Sequence, residues 1–204
     1  MTATCQAQGN AEIFCFFRDI TQKRASEELI WKQANFDMLT QLPNRNMLND
    51  RLAQEIKKAH RADLQLALLF IDLDHFKAVN DTLGHAMGDL LLVEAGQRIS
   101  ACVRETDTVA RLGGDEFTVI LAGINEGEIG TVERIARHVL EQLSMPFSLQ
   151  NQKAQLSASI GITYYPGDAS TIQELFKKAD QAMYAAKNQG RNRYCYFTPG
   201  RLSA

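Results

Sequence analysis

Two short apolar runs, residues 109–112 and 117–121, are separated by only Gly113, Gly114, Asp115 and Glu116. A gap of four residues that begins with two glycines leaves the runs one economical arrangement, an antiparallel β-hairpin. The hairpin constrains everything around it, because its apolar faces need a sheet to join and helices to cover them. It also lifts Asp115 and Glu116 to a tip, where a rigid scaffold presents side chains to a cleft.

The flanking sequence supplies the other layers. The apolar run 66–71 ends at Asp72 and reads as a strand buried on both faces. Ala154, Leu156, Ala158, Ile160 and Ile162 alternate with polar or small residues, which predicts one strand with a single face in the core. Helical spacing joins Leu48, Leu52, Ile56 and Ala59, with a start suited to Pro43-Asn44. It recurs at Leu91, Ala95, Ile99 and Cys102, then at Ile129, Val132, Ala136, Val139 and Leu143. A last helix through Ile172, Leu175, Ala179, Ala182, Met183 and Ala186 stops at Gly190. Strands and helices interleave without repeats, so the expected fold class is α/β, an α+β sandwich of helices around a mixed, largely antiparallel central sheet.

With 204 residues, 45% of them hydrophobic, the chain can bury one core and a small appendage. Its 22 basic and 24 acidic residues leave a net charge of -2, so no global positive field argues for nucleic-acid binding. Cys5, Cys15, Cys102 and Cys195 form no CxxC pair, which speaks against a metal finger or a disulfide framework. No run approaches the length of a membrane span. The sequence thus reads as cytoplasmic, with reduced thiols and no membrane or nucleic-acid partner.

Upstream of residue 36 the pattern is thinner. Residues 11–20 read as one strand, followed by a polar run to Arg24 and a helix carrying Ala25, Leu29, Lys32 and Phe36. A lone strand does not fold by itself. Residues 1–35 are therefore expected to be the end of a preceding domain plus a connecting helix, with a disordered leader as the alternative. Residues 36–198 are the expected main domain, and 199–204 a tail.

Asp72 closes a buried strand, and Asp115 and Glu116 sit at a hairpin tip. Three carboxylates that meet repel one another unless a cation neutralises them, and oxygen ligands of this kind favour Mg²⁺ completed by water and phosphate oxygens. Each carboxylate taken singly reads more readily as a solvated turn residue; the weight lies in the combination.

Several separated motifs in one order carry a more specific message. They are residues 37–45 (DMLTQLPNR), 72–81 (DLDHFKAVND), Gly84-His85, Gly88-Asp89, 113–117 (GGDEF), Ser159-Ile160-Gly161, and 179–187 (ADQAMYAAK) with Gly190-Arg191-Asn192. Over nearly all of residues 36–197 the chain resembles the GGDEF family of diguanylate cyclases, whose nucleotidyl cyclase/polymerase palm fold the expected architecture matches. The resemblance implies condensation of two GTP into cyclic di-GMP. In that frame Asp72, the Leu73 carbonyl and Asp115 ligate Mg²⁺ (or Mn²⁺), and Glu116 supports the metal or activates the nucleophile. Lys77, Lys187 and Arg191 cradle the triphosphate, Lys77 being counted with Asp115 and Glu116 among the catalytic groups. Asn80 and Asp89 hydrogen-bond the guanine edge, while Phe76, His85, Gly113 and Gly114 complete the substrate site. Each domain holds one GTP, so a homodimer is implied.

Arg104-Glu105-Thr106-Asp107 fills the family's RxxD product-inhibition pattern, with Arg111 as a third candidate for that site. Gln41 departs from the family's usual glycine in a turn remote from the chemistry, with little effect expected. The segment 18–25 resembles the exit of a PAS sensor domain, and many relatives continue downstream into a phosphodiesterase domain of the EAL type. Two other functions remain open at this point: a catalytically silent module that binds GTP or cyclic di-GMP, and a purely structural dimerisation unit built on residues 25–36.

Overall fold

The computed structural model describes residues 2–6, 12–16, 19–125 and 129–198. The chain divides into two compact units, Met1–Ala34 and Asn35–Ala204. In the first, β1 (Thr2–Gln6) pairs antiparallel with β2 (Glu12–Phe16). The strand expected over residues 11–20 is thus shorter, with its end at Phe16 among the described residues, and it has a partner in Thr2–Gln6, where no strand was expected. The helix α1 (Thr21–Asn35) begins inside the polar run, where the Thr21 N–H donates to Asp19 Oδ1 at 2.9 Å. Phe36 lies beyond α1, in an isolated bridge with Pro43.

The second unit comprises α2 (Arg45–Ala62), β3 (Gln65–Asp74), α3 (Phe76–Leu83), α4 (His85–Ala101), β4 (Thr108–Gly113) and β5 (Glu116–Ile124). It continues with α5 (Ile129–Ser144), β6 (Phe147–Leu149), β7 (Gln152–Ala154), β8 (Ser157–Tyr165), α6 (Ile172–Asn188) and β9 (Arg193–Tyr196). Its main sheet has the order β4-β5-β3-β8-β9 and is antiparallel except for β8 with β9. α2 starts where Pro43-Asn44 predicts: Asn44 is the N-cap, its side chain accepting from the Asn46 and Met47 N–H groups.

Period-two geometry sorts β3 into two faces. Ala67, Leu69, Ile71 and Leu73 join the core under α3, α4 and α5, while Leu66, Leu68 and Phe70 join a second core under α2 and α6. Each fully buried leucine or isoleucine contributes about 2 kcal/mol of hydrophobic stabilisation. Asp72 and Asp74 continue the α2/α6 face, which is why that end of β3 becomes polar while staying buried.

Two expectations need correction. The alternation over 154–163 is split between β7 and β8, and β8 is buried on both faces: Ser159 and Thr163 are fully inaccessible. The small residues of that face admit a helix. A Cβ at Gly161 would strike the Ala179 carbonyl and the Met183 N–H group, so the α6 backbone lies directly on the strand. The single helix expected after Asp72 is two helices, divided at Gly84, whose φ of 84° and ψ of 159° fall in a region essentially reserved for glycine. Cys102 caps the second of them, half-exposed. Among the described residues no helix is long and apolar enough to cross a membrane.

Candidate active site

Asp72, Asp115 and Glu116 converge at the polar end of β3. Asp72 is paired across the sheet with Glu116, and the Leu73 N–H donates to the Asp115 carbonyl at 3.2 Å, so the hairpin tip is fastened beside the strand end. Lys187, in the last turn of α6, places its Nζ 2.8 Å from Asp72 Oδ2. The contact of α6 with Gly161 sets the height at which that lysine arrives.

Burial pushes the Asp72 carboxyl above its ordinary range, with the negative charges of Asp115 and Asp74 adding to the rise and Lys187 opposing it. Glu116 is raised by burial first, then by Asp72; Arg45 opposes, and Asp115 and Asp180 add to the rise. These groups repel one another, and a cation between them would relieve the repulsion. Among the described residues no group of three or more His, Cys, Asp or Glu side chains is arranged as a complete metal cage. Mg²⁺ needs only one or two carboxylates beside water and phosphate, so Asp72 and Asp115 fit it.

The hairpin tip is held from the other side by Arg111. Its Nε and one terminal nitrogen donate to the Gly114 carbonyl at 3.1 and 2.7 Å; the other terminal nitrogen bridges both carboxylate oxygens of Asp37 at 2.9 and 3.0 Å. Burial pushes the Asp37 carboxyl up, but hydrogen bonds from Thr40 and Arg111 outweigh it and hold it below the ordinary range. The turn that presents Asp37 contains Gln41 at φ 58°, the left-handed conformation a glycine takes more easily.

Asn80, Asp89, Lys77, Phe76 and His85 cluster on α3 and α4 around the break at Gly84. Phe76 is buried, while Lys77, His85 and Asp89 are exposed. Asn80 Oδ1 is buried without a hydrogen-bond partner, pressed against Gly88, where a Cβ would collide with it. Arg191 stands in the turn after α6, its Nε 3.9 Å from Asp74 Oδ1.

Arg104 and Asp107 form a turn before β4. The Arg104 N–H donates to Asp107 Oδ2 at 3.0 Å and the Asp107 N–H to the Arg104 carbonyl at 3.0 Å, with Arg104 exposed. The structure places Arg111 with Asp37 and Gly114. Asp37 and Asp74 were not singled out from sequence. Their separations from their partners, 74 and 83 residues, hide them, and the usable signal was the Asp-x-Asp step of 72–74 that puts both carboxylates on one face.

Comparison with known proteins matches residues 34–193 to a family described as diguanylate cyclase, GGDEF domain. The chain is 51% identical over 174 residues to the bifunctional diguanylate cyclase/cyclic di-GMP phosphodiesterase MucR of Pseudomonas aeruginosa, covering 85% of this chain and 25% of that protein. It is 46% identical over 160 residues to the diguanylate cyclase TpbB of the same species, covering 78% of this chain and 36% of that protein. The chain therefore spans only a quarter to about a third of these relatives. A solved structure of TpbB comprising only the GGDEF domain superposes with a TM-score of 0.76 at 43% identity, over 80% of this chain and 94% of that one. The coiled coil and GGDEF domain of DgcB from Caulobacter crescentus, in complex with c-di-GMP, gives a TM-score of 0.77 at 26% identity, over 87% of this chain and 93% of that one.

Proposed function

Because the chain belongs to the GGDEF family of diguanylate cyclases, we propose that it condenses two GTP into cyclic di-GMP and releases two pyrophosphates. The observation that carries this reading is the convergence of Asp72, Asp115 and Glu116 under Lys187. Mg²⁺ (or Mn²⁺) would be held by Asp72, the Leu73 carbonyl and Asp115, supported by Glu116. When bound it supplies Lewis acidity toward the phosphate oxygens and the attacking hydroxyl.

The chain's own residues account for the rest. Lys187 exchanges Asp72 for the triphosphate and, with Arg191 and Lys77, stabilises the charge that gathers on pyrophosphate as it leaves. Asp89 accepts from the guanine N1 and N2 donors while Asn80 serves the remaining edge, which selects guanine over adenine. Glu116, raised by burial, is suited to take the 3′-hydroxyl proton as that oxygen attacks the α-phosphorus. Phe76, His85, Gly113 and Gly114 line the approach. Ring closure needs two such sites facing each other, and so a homodimer. In α1 no residue is buried, and Leu29, Ile30 and Trp31 are exposed, which suits pairing with a second copy. Residues 1–35 fit the exit of a PAS-like sensor. A cytoplasmic location goes with this reading, since GTP is a cytoplasmic nucleotide.

We assign product inhibition to Arg104 and Asp107, with Arg111 holding the hairpin. Loss of cyclic di-GMP binding by Arg104→Ala in calorimetry without GTP supports this, and unchanged binding removes it. The cyclase reading is tested by incubating chain stripped of nucleotide with GTP and Mg²⁺, alongside Asp115→Ala, and separating the nucleotides. Cyclic di-GMP from the unmutated chain alone is the expected result. Absence of product from both, at concentrations that allow pairing, overturns the reading in favour of a nucleotide-binding regulator.

A further inference from the structure

Among the described residues the only buried charged side chains are Asp72 and Asp74, and the mechanism uses only the first. Asp74 is 2% exposed, two residues further along β3 on the same face. Three hydrogen bonds satisfy it. Ser157 Oγ donates to Oδ2 at 2.6 Å, Ser159 Oγ to Oδ1 at 2.8 Å, and the backbone N–H of Asn192 to Oδ2 at 3.2 Å. The two serines come from the neighbouring strand β8, but Asn192 belongs to the turn between α6 and β9.

That turn is costly to hold. Gly190, Arg191 and Asn192 stand in succession at φ 108°, 59° and 47°. A non-glycine residue in the left-handed region costs roughly 1–2 kcal/mol, and such conformations persist only where the surroundings impose them. The surroundings here are the Asp74 carboxylate on the Asn192 N–H and Ser144 Oγ on Asn192 Oδ1, 3.0 Å apart. The same carboxylate draws the Arg191 guanidinium to 3.9 Å. Arg191 therefore leaves the turn after α6 in a direction set by a buried anion beside the site carboxylate Asp72.

We infer that Asp74 is a positioning residue for the triphosphate cradle: by binding the Asn192 N–H it holds the Arg191 turn in its left-handed form and aims Arg191 toward the phosphates that Lys187 also meets. The inference rests on the nucleotide reading above. Supporting groups of this kind typically change affinity by 10–100-fold when lost.

The test is Asp74→Asn, which keeps shape but replaces one acceptor with a donor. In ligand-free protein the Asn192 amide should lose protection from hydrogen exchange. Affinity for a non-hydrolysable GTP analogue should fall about tenfold or more, with GMP affinity unchanged, because only the triphosphate reaches the cradle. Adding Asn192→Gly, which adopts positive φ unaided, should restore part of the GTP preference, and this double variant serves where the single one folds poorly. A buried group needed only for folding would leave the GTP-to-GMP ratio of the folded fraction at its original value, and that result overturns the inference alone. An unmutated chain that binds neither nucleotide removes the nucleotide reading and this inference with it.

Discussion

At one end of the site Asp115 sits on a hairpin fastened by Leu73, by the Arg111 fork on Gly114 and through Arg111 to Asp37. At the other end Asn80, His85 and Asp89 rise from two helices that meet at a single glycine, with a buried carboxamide oxygen lacking a partner. The first end is over-determined by charge-assisted hydrogen bonds; the second is shaped by close packing. The difference matches the tasks in the proposed reaction. Groups that act on charge need fixed distances to one another, whereas groups that read a base edge complete their hydrogen bonds on the ligand.

Breaking the fastened end should cost most. Arg111→Ala strands a largely buried Asp37 carboxylate and frees the Gly114 carbonyl, so a loss of about 3 kcal/mol in urea unfolding is expected, together with loss of cyclic di-GMP synthesis. Arg111→Lys should rescue little, because a lysine lacks the fork that serves both acceptors. An Arg111→Ala protein of parental stability and activity would show that the hairpin holds itself.

The packed end should fail differently. Gly88→Ala pushes on the Asn80 carboxamide while gaining helix propensity. The expectation is nearly unchanged stability with KM for GTP raised about tenfold, equivalent to 1.4 kcal/mol. A large stability loss with unaltered KM would erase the contrast between the two ends.

A smaller effect lies in pH. Asp72 and Glu116 are both raised by burial, so between the ordinary carboxylate values and the raised ones the folded chain keeps protons that the unfolded chain has released. Stability therefore falls as pH rises through that window. Glu116→Gln should flatten the fall and leave the protein more stable than the parent near neutrality, while product synthesis is lost. Urea unfolding in chelator from about pH 4 to 7 checks it, and an unchanged slope would remove Glu116 from the repelling cluster.

The least effect is expected from Gln41→Gly. Relief of the left-handed backbone at φ 58° is partly offset by greater freedom in the unfolded chain, for a net gain of about 0.5 kcal/mol. Activity should be unaltered; a change in it would mean that backbone strain at Gln41 is passed through Asp37 and Arg111 to the hairpin.

What could be read from the sequence follows the range of the forces involved. The hairpin, the buried β3 and the Asn44 cap are set by neighbours in the chain, and they formed where their residues predict. The division of α3 from α4 was missed because α3 spans only eight residues, too few to establish a helical period of its own. The polar face of β8 looked solvent-facing because serine and glycine are chosen there for a helix lying on them, a fact written in α6. In the site, Asp72, Asp115 and Glu116 stood out by type and place. Asp37 and Asp74 did not, since their meaning lies in Arg111, Ser157 and Asn192, which the chain delivers from far away.

That distance also has a schedule in it. Asp74 finds Ser157 and Ser159 only 83 and 85 residues later, and Asn192 118 residues later. At a synthesis rate of roughly 5–20 residues per second, the carboxylate waits on the order of ten seconds for its last partner. For most of that interval β3 lacks β8 on one side, and Lys187 and Arg191 are made only at its close. The nascent chain thus holds its acidic residues before it holds the cations that answer them, and the site comes together only when the last helix and strand arrive.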